Sequence, residues 1–194
     1  GQSYTMVLPD NQVAADKFLK VKSITGSGVT AVGQLEYADV SGGKFVSYAI
    51  IADRKAQNAS SGTFSSGGWR TRDLNTELLD PDGIVSLSNN EFTLQAGSYL
   101  IIGSAPALEV DSHMAKLNNV TDSDDNIGQG TIEFSLAGSS SQTRSFFSTR
   151  VTISSAKAFS VLHRCTTTNS GNGFGITGNL DFEIYTIVEI YKEA

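Results

Sequence analysis

The run EFTLQAGSYLIIGSA, Glu91 to Ala105, decides the fold. Phe92, Leu94 and Ala96 alternate with polar Thr93 and Gln95, the two-residue period of a half-buried strand. Gly97-Ser98 breaks the pattern, and Tyr99-Leu100-Ile101-Ile102 opens an unbroken apolar run. Alternation, a glycine-marked turn and a strand expected to be covered on both faces describe the core of a β-sandwich.

Outward from this element the same grammar repeats. Ile84 to Leu87 and Phe92 to Leu94 flank Ser88-Asn89-Asn90-Glu91, which predicts a hairpin. Asp80-Pro81-Asp82-Gly83 is a turn, with proline presetting the backbone. Phe45 to Ala52 is a long strand, too apolar to face water on either side. Ser112 to Val120, Thr131 to Leu136 and Lys157 to Arg164 each alternate, and Ser145 to Ile153 is a long strand. Phe182 to Tyr191 closes the chain, with Ile184, Thr186, Val188 and Ile190 on one face and Tyr185, Ile187 and Tyr191 on the other. Polar loops are expected at residues 56–68, 121–130, 138–143 and 166–173. Strands recurring roughly every 8–15 residues, with no amphipathic helix, predict a two-sheet jelly roll.

Residues 1–44 read differently. Tyr4 to Pro9, Phe18 to Lys22 and Leu35 to Tyr37 are short extended pieces around a glycine-hinged turn, and Ser41 to Lys44 is the expected hinge. Three strands this short bury little alone. They gain stability if three chains interleave, which motivates a trimer; a plain hairpin of a monomer is the alternative. The division is therefore 1–44, a short β attachment segment, and 45–194, a head domain.

Composition narrows the function classes. At 194 residues the chain is long enough to fold without disulfide staples. Its single cysteine, Cys165, reads as a small buried hydrophobe, compatible with a reducing cytoplasm. A net charge of −6 without a basic stripe argues against nucleic acid. The apolar runs are too short for a membrane helix. Gly1-Gln2-Ser3 lacks an initiator Met and a signal sequence, so the chain is expected to be a piece of something longer.

The spacing Phe92-x-x-x-x-Gly97-x-Tyr99 resembles the signature of the C1q/TNF-like jelly roll. With Phe45 to Asp53, Trp69 to Asn75 and Phe182 to Tyr191, the chain looks most like the C1q-like knobs at the C-terminal ends of bacteriophage tail fibres, over residues 45 to 193. The first 44 residues are similar to segments that precede such knobs in phage fibres and other virion proteins. The resemblance implies an all-β C1q/TNF-like jelly-roll β-sandwich, preceded by a short β attachment region and forming a homotrimer, in which Phe92 and Tyr99 pack in each subunit's core. It implies a receptor-binding tip that adheres to a bacterial surface glycan or protein, joined to other virion fibre or tail proteins. Such a chain is made in the host cytoplasm and resides in the virion. Two other roles fit: a structural or trimerisation knob of a tail or capsid fibre, or a secreted C1q-like carbohydrate-binding module.

Catalytic signals are lacking. There is no Gly-x-Ser-x-Gly, no phosphate-binding glycine loop, no His-Glu-x-x-His and no Cys-x-x-Cys, and no cofactor is expected. His113 and His163 lie far apart in sequence and read as satisfied core or interface histidines. Asp122, Asp124 and Asp125, like Asp80 and Asp82, are oxygen-rich turns; the first three are weak Ca²⁺ candidates without the ligand ladder of an EF-hand.

Trp69, Arg70, Arg72 and Asp73 form the most distinctive polar-aromatic cluster. Either Trp69 is buried and the arginines pair with Asp73, Glu77 or a neighbouring subunit, or the cluster is surface-presented and clamps a sugar. The resemblance places it in the scaffold. Receptor contacts are expected from loops. The candidates are Asn58, Ser60, Ser61, Asp124, Asn126, Ser140, Gln142, Asn169 and Asn172. Core or trimer-interface positions are Phe92, Gly97, Tyr99, Phe147, Tyr185 and Ile187, with Tyr185, Ile187 and part of Phe146-Phe147 offered to the threefold interface.

Overall fold

Alternating apolar residues separated by turn formers leave this chain little choice but strands. The computed structural model describes residues 5–9, 17–39 and 43–194. Among them no helix is long and apolar enough to cross a membrane. The chain divides into two compact units, Gly1–Gly43 and Lys44–Ala194.

The first unit holds β1 (Thr5–Val7), β2 (Lys17–Thr25) and β3 (Val32–Asp39), in the order β1-β3-β2. β2 and β3 form an antiparallel hairpin, and β1 joins β3 in parallel. Gly26 turns the hairpin at φ +82°, where a Cβ would lie 2.9 Å from the Thr30 carbonyl oxygen. Met6, Leu19, Val21 and Ile24 remain exposed on this small sheet. Tyr4 and the hinge residues Ser41 and Gly42 lie outside the described residues.

The second unit is a sandwich of two sheets. Its strands are β4 (Phe45–Lys55), β5 (Arg70–Thr71), β6 (Thr76–Leu79), β7 (Val85–Ser88), β8 (Glu91–Leu94), β9 (Gly97–Leu108), β10 (Asp111–Asn119), β11 (Asp124–Gln129), β12 (Glu133–Ser135), β13 (Gln142–Ile153), β14 (Lys157–Cys165) and β15 (Glu183–Glu193). One sheet runs β11-β10-β14-β8-β7, with β12 on β10 and β5 on β14; the other runs β13-β9-β15-β4-β6. The deciding run crosses between them. β8 ends one sheet at Leu94, Gly97 turns at φ +155°, and β9 starts the other. The Tyr99 hydroxyl donates back across this corner to the Gln95 carbonyl at 2.9 Å. The β7–β8 hairpin has Asn89 and Asn90 both at positive φ, the primed turn that suits strand twist.

Between the sheets lies one core that includes Ile51, Phe92, Leu94, Tyr99, Ile101, Leu117, Phe147, Phe159, Val188 and Ile190. Phe92 stacks on Phe159 at 5.6 Å between centroids. Gly103 faces inward opposite Phe147, whose ring occupies the space a Cβ would take: the nearest ring atom would be 2.1 Å away.

Several expectations need correction. β9 and β4 are not covered on both faces: Leu100 and Ile102 are half-buried, and Phe45, Val46 and Tyr48 are exposed. Alternation holds in both strands, and the apolar side chains simply continue onto the outer face. The polar stretch expected as a loop at 121–130 is mostly strand β11, since ladder partners on β10 satisfy its backbone whatever its side chains are. In β15, two residues (Tyr185 and Thr186) sit opposite one of β4, because Ile184 pairs with Arg54 and Ile187 with Ala52. That bulge turns Tyr185 inward. It is 2% exposed, and its hydroxyl donates to the Ala59 carbonyl at 2.8 Å, so it cannot join a subunit interface.

Candidate functional site

The loops gather at one end of the sandwich. Gly62 bridges to Asn172 and Phe64 to Asn169, tying residues 56–68 to residues 166–177. Ser60 Oγ donates to the Gly171 carbonyl, and the Asn169 amide donates to the Leu108 carbonyl at 2.9 Å. Glu183 fixes the other side: its carboxylate accepts from the amides of Asn58, Gly178 and Asn179. Those donors, the last two foremost, hold its carboxyl below the usual range. Gln142 Oε1 accepts from the Ile176 amide, and the Ser140 amide donates to Glu109. Asn58, Ser60, Ser140, Gln142, Asn169 and Asn172 therefore share one end.

Other candidates do not join them. Ser61 is buried, 2% exposed, and presents nothing to a receptor. Gln142 does share the loop end, but as the first residue of β13 rather than in a loop, whereas Asp124 and Asn126 belong to β11, near the opposite end of β10. There the carboxylates disperse. Asp122 accepts from Asn119 and Lys157, Asp125 pairs with Lys116 at 2.7 Å, and Asp124 accepts from the Asn126 amide. Asp80 accepts from the amides of Ile84 and Val85, and Asp82 from Ser47, which makes that stretch a capped turn.

Beneath the loop end the Trp69–Asn75 cluster splits. Arg72 is fully buried but pairs with neither Asp73 nor Glu77, the partners the sequence suggests; it donates instead to Thr186 Oγ1 at 2.7 Å and to the carbonyls of Pro106 and Phe174. Burial lowers its pKa to about 9. Asp73 takes Lys55 at 2.8 Å. Arg70 is exposed and donates to the Ser65 and Ser66 carbonyls. Trp69 is half-buried, not buried, with Lys116 Nζ 4.0 Å from its ring centre. Below Arg72 the two histidines, distant in sequence, meet in the core beside Phe64.

The outer face of the five-stranded sheet is the second surface of interest. The registers align Phe146, Ser104 and Ile187 in one row, Ile102, Glu189 and Ile50 in the next, and Leu100, Tyr191 and Tyr48 in a third. Phe146 is 53% exposed and Tyr48 43%. Phe147, its neighbour in sequence, points into the core instead.

No protein-family model and no curated protein matches the chain. Among solved structures it is similar to the Eiger TNF of S. frugiperda, with 13% identity and a TM-score of 0.51 over 78% of this chain and 94% of that one. It is also similar to the globular domain of zebrafish complement 1qA, with 11% identity and a TM-score of 0.46 over 75% and 95% of the two chains. Mouse APRIL at pH 8.0 gives 8% identity and a TM-score of 0.46 over 75% and 98%. The fold is a C1q/TNF-like jelly roll.

Within this jelly roll, sequence reasoning missed two things that carry the loop end. Glu183 was legible only as one charge in an alternating strand, although it anchors two loops. The meeting of His113 and His163 follows from β10 pairing with β14, a long-range register that local spacing does not encode.

Proposed function

We propose that this chain is the homotrimeric, non-enzymatic receptor-binding tip of a bacteriophage tail fibre. In that reading the head domain adheres to the host surface through its loop end, and the first unit attaches it to the rest of the fibre. The observation that carries the trimer is the outer face of the five-stranded sheet. Phe146, Leu100, Ile102, Ile187, Tyr48 and Tyr191 form a largely apolar surface, interrupted by Ser104 and Glu189, on one side of a sheet whose other side is already the core. Large apolar patches of this kind mark association surfaces, and a second and third copy of the same face is the occupant proposed here. The fibre context rests on the sequence resemblance at Trp69 to Asn75 and across the first 44 residues. Three tethered copies turn weak single-site binding into avidity, because later contacts are intramolecular. They also carry three times −6, or −18, toward a cell surface that is itself anionic.

The test is light scattering followed by binding of the labelled protein to susceptible cells. A mass near three times 20.6 kDa and saturable binding that blocks phage adsorption are expected. A trimer that binds no susceptible cell would assign the chain to a structural knob. A monomer would overturn the fibre-tip reading and favour a secreted module.

A further inference from the structure

The proposed trimer covers the apolar face of the five-stranded sheet but leaves a second apolar area, on the outer side of the seven-stranded sheet. Its floor is one cross-strand row. β10 pairs Met114 with Arg164 of β14, and Trp69 stands one residue ahead of the His163–Arg70 pair of β14 and β5, which brings it to the same row. Ile132, 77% exposed, and Phe134, 55% exposed, extend the surface beyond β10. Trp69, Ser112, Met114, Ile132, Arg164 and Thr166 line a pocket of about 260 Å³ here.

Three features give the pocket a chemistry. The indole is held in place: Lys116 Nζ sits over it, and that ammonium is itself tied to Asp125 at 2.7 Å. Arg164 is exposed and, among the described residues, has neither a hydrogen-bond nor an ion-pair partner. The pocket also adjoins the loop end, because Thr166 and Thr167 bond back to Ser112 and Val110 while Thr168 holds Ser66. A fixed aromatic wall beside an unspent guanidinium suits a ligand that is apolar on one face and anionic at one edge.

We infer that this pocket binds a carboxylate-bearing hexopyranose, a uronic acid unit of a surface polysaccharide, an inference that rests on the fibre-tip reading for its biological context. The C–H face of the sugar packs on the face of Trp69 that Lys116 leaves free. Its carboxylate takes the two-pronged hydrogen bonds that a guanidinium offers and an ammonium does not. Ser112, which lines the pocket, offers a hydroxyl to the sugar's own. The volume lies below the roughly 300–1,000 Å³ of pockets that bury drug-sized ligands, which suits a single sugar ring. The unpaired arginine also gives an acidic protein a local attraction for an anionic polymer.

Trp69 is the only tryptophan, so its emission reports on the pocket directly. Purified protein is titrated with methyl β-D-glucuronide, methyl α-D-galacturonide and methyl β-D-glucoside. A saturable change is expected with at least one uronide, with the neutral glucoside at least tenfold weaker. Arg164→Gln should raise the uronide Kd at least tenfold at unchanged Tm and mass. No response to either uronide, equal binding of the glucoside, or an unaffected R164Q variant would each overturn the inference. So would silent uronides combined with cell binding that protease treatment of the cells abolishes, because the occupant would then be a protein side chain. Uronide binding through Arg164 by a protein that adheres to no host cell would uphold the pocket and sink the fibre-tip reading instead.

Discussion

His113 Nδ1 lies 3.0 Å from His163 Nε2, two buried rings from adjacent strands β10 and β14. The other nitrogen of His113 reaches Thr143 Oγ1 at 2.8 Å, whereas His163 Nδ1 has no partner. A bond between two imidazoles requires at least one of them neutral. Burial enforces this, lowering His113 to about 4 and His163 well below its usual value, with Arg72 repelling a further proton on each and Glu133 favouring one on His113.

The pair therefore makes stability depend on pH. Below pH 6.5 the unfolded chain takes up protons that the folded pair refuses, so stability falls as pH drops from 6.5 toward 4, by on the order of 3 kcal/mol for His113 alone. Asp53 opposes it. Burial raises its pKa from 3.8 to about 6, so the folded state binds the extra proton and stability rises over much the same window. Asp53→Asn removes that offset, and Tm measured between pH 7 and pH 4 should fall more steeply in the variant than in the wild type. Parallel curves would refute the account.

Arg72→Ala should be among the most damaging single changes. It opens a cavity and strands Thr186 and the carbonyls of Pro106 and Phe174, at a cost of roughly 3–5 kcal/mol. Urea denaturation would read this as a lower midpoint. A loss under 1 kcal/mol would mean that the guanidinium contributes little to the fold.

Gly103→Ala drives a methyl group into the Phe147 ring and should cost roughly 1–3 kcal/mol or more. Combining it with Phe147→Leu should recover part of the loss, since the smaller side chain vacates the space. Additive losses in the double variant would count against this packing argument.

Phe146→Asp places a charge on the edge strand of the proposed subunit face, where Phe146 is exposed in the single chain. We expect the variant to run near 20.6 kDa in light scattering with an unchanged β-type circular dichroism spectrum. A variant that remained trimeric would move the interface elsewhere.

What was legible in sequence was local. The Glu91–Ala105 run identified a strand, a corner and a strand, and Asn89-Asn90 identified a hairpin, because each is written in neighbouring residues. Tyr185 was misread because a bulge shifts the two-residue period without leaving a mark in composition. β11 was misread because its side chains are polar and its ordering comes from β10. Arg72 was recognised as part of a scaffold, but its partners Thr186, Pro106 and Phe174 come from distant segments that no spacing rule connects. The loop end was half legible: residue types named the loops, and only the fold could say that Asp124 and Asn126 belong elsewhere.

β15 lies between β9 and β4, so the centre of the five-stranded sheet is filled by the last strand described. On a ribosome, β4 emerges first and must wait with one apolar edge unpaired until β15 follows, on the order of ten seconds at roughly 5–20 residues per second. Such long-range pairing is slow to form and exposed to aggregation while it waits. The order of synthesis thus runs against the order of assembly, and a chain stalled or cut before Glu183 would lack the strand that joins the two halves of that sheet.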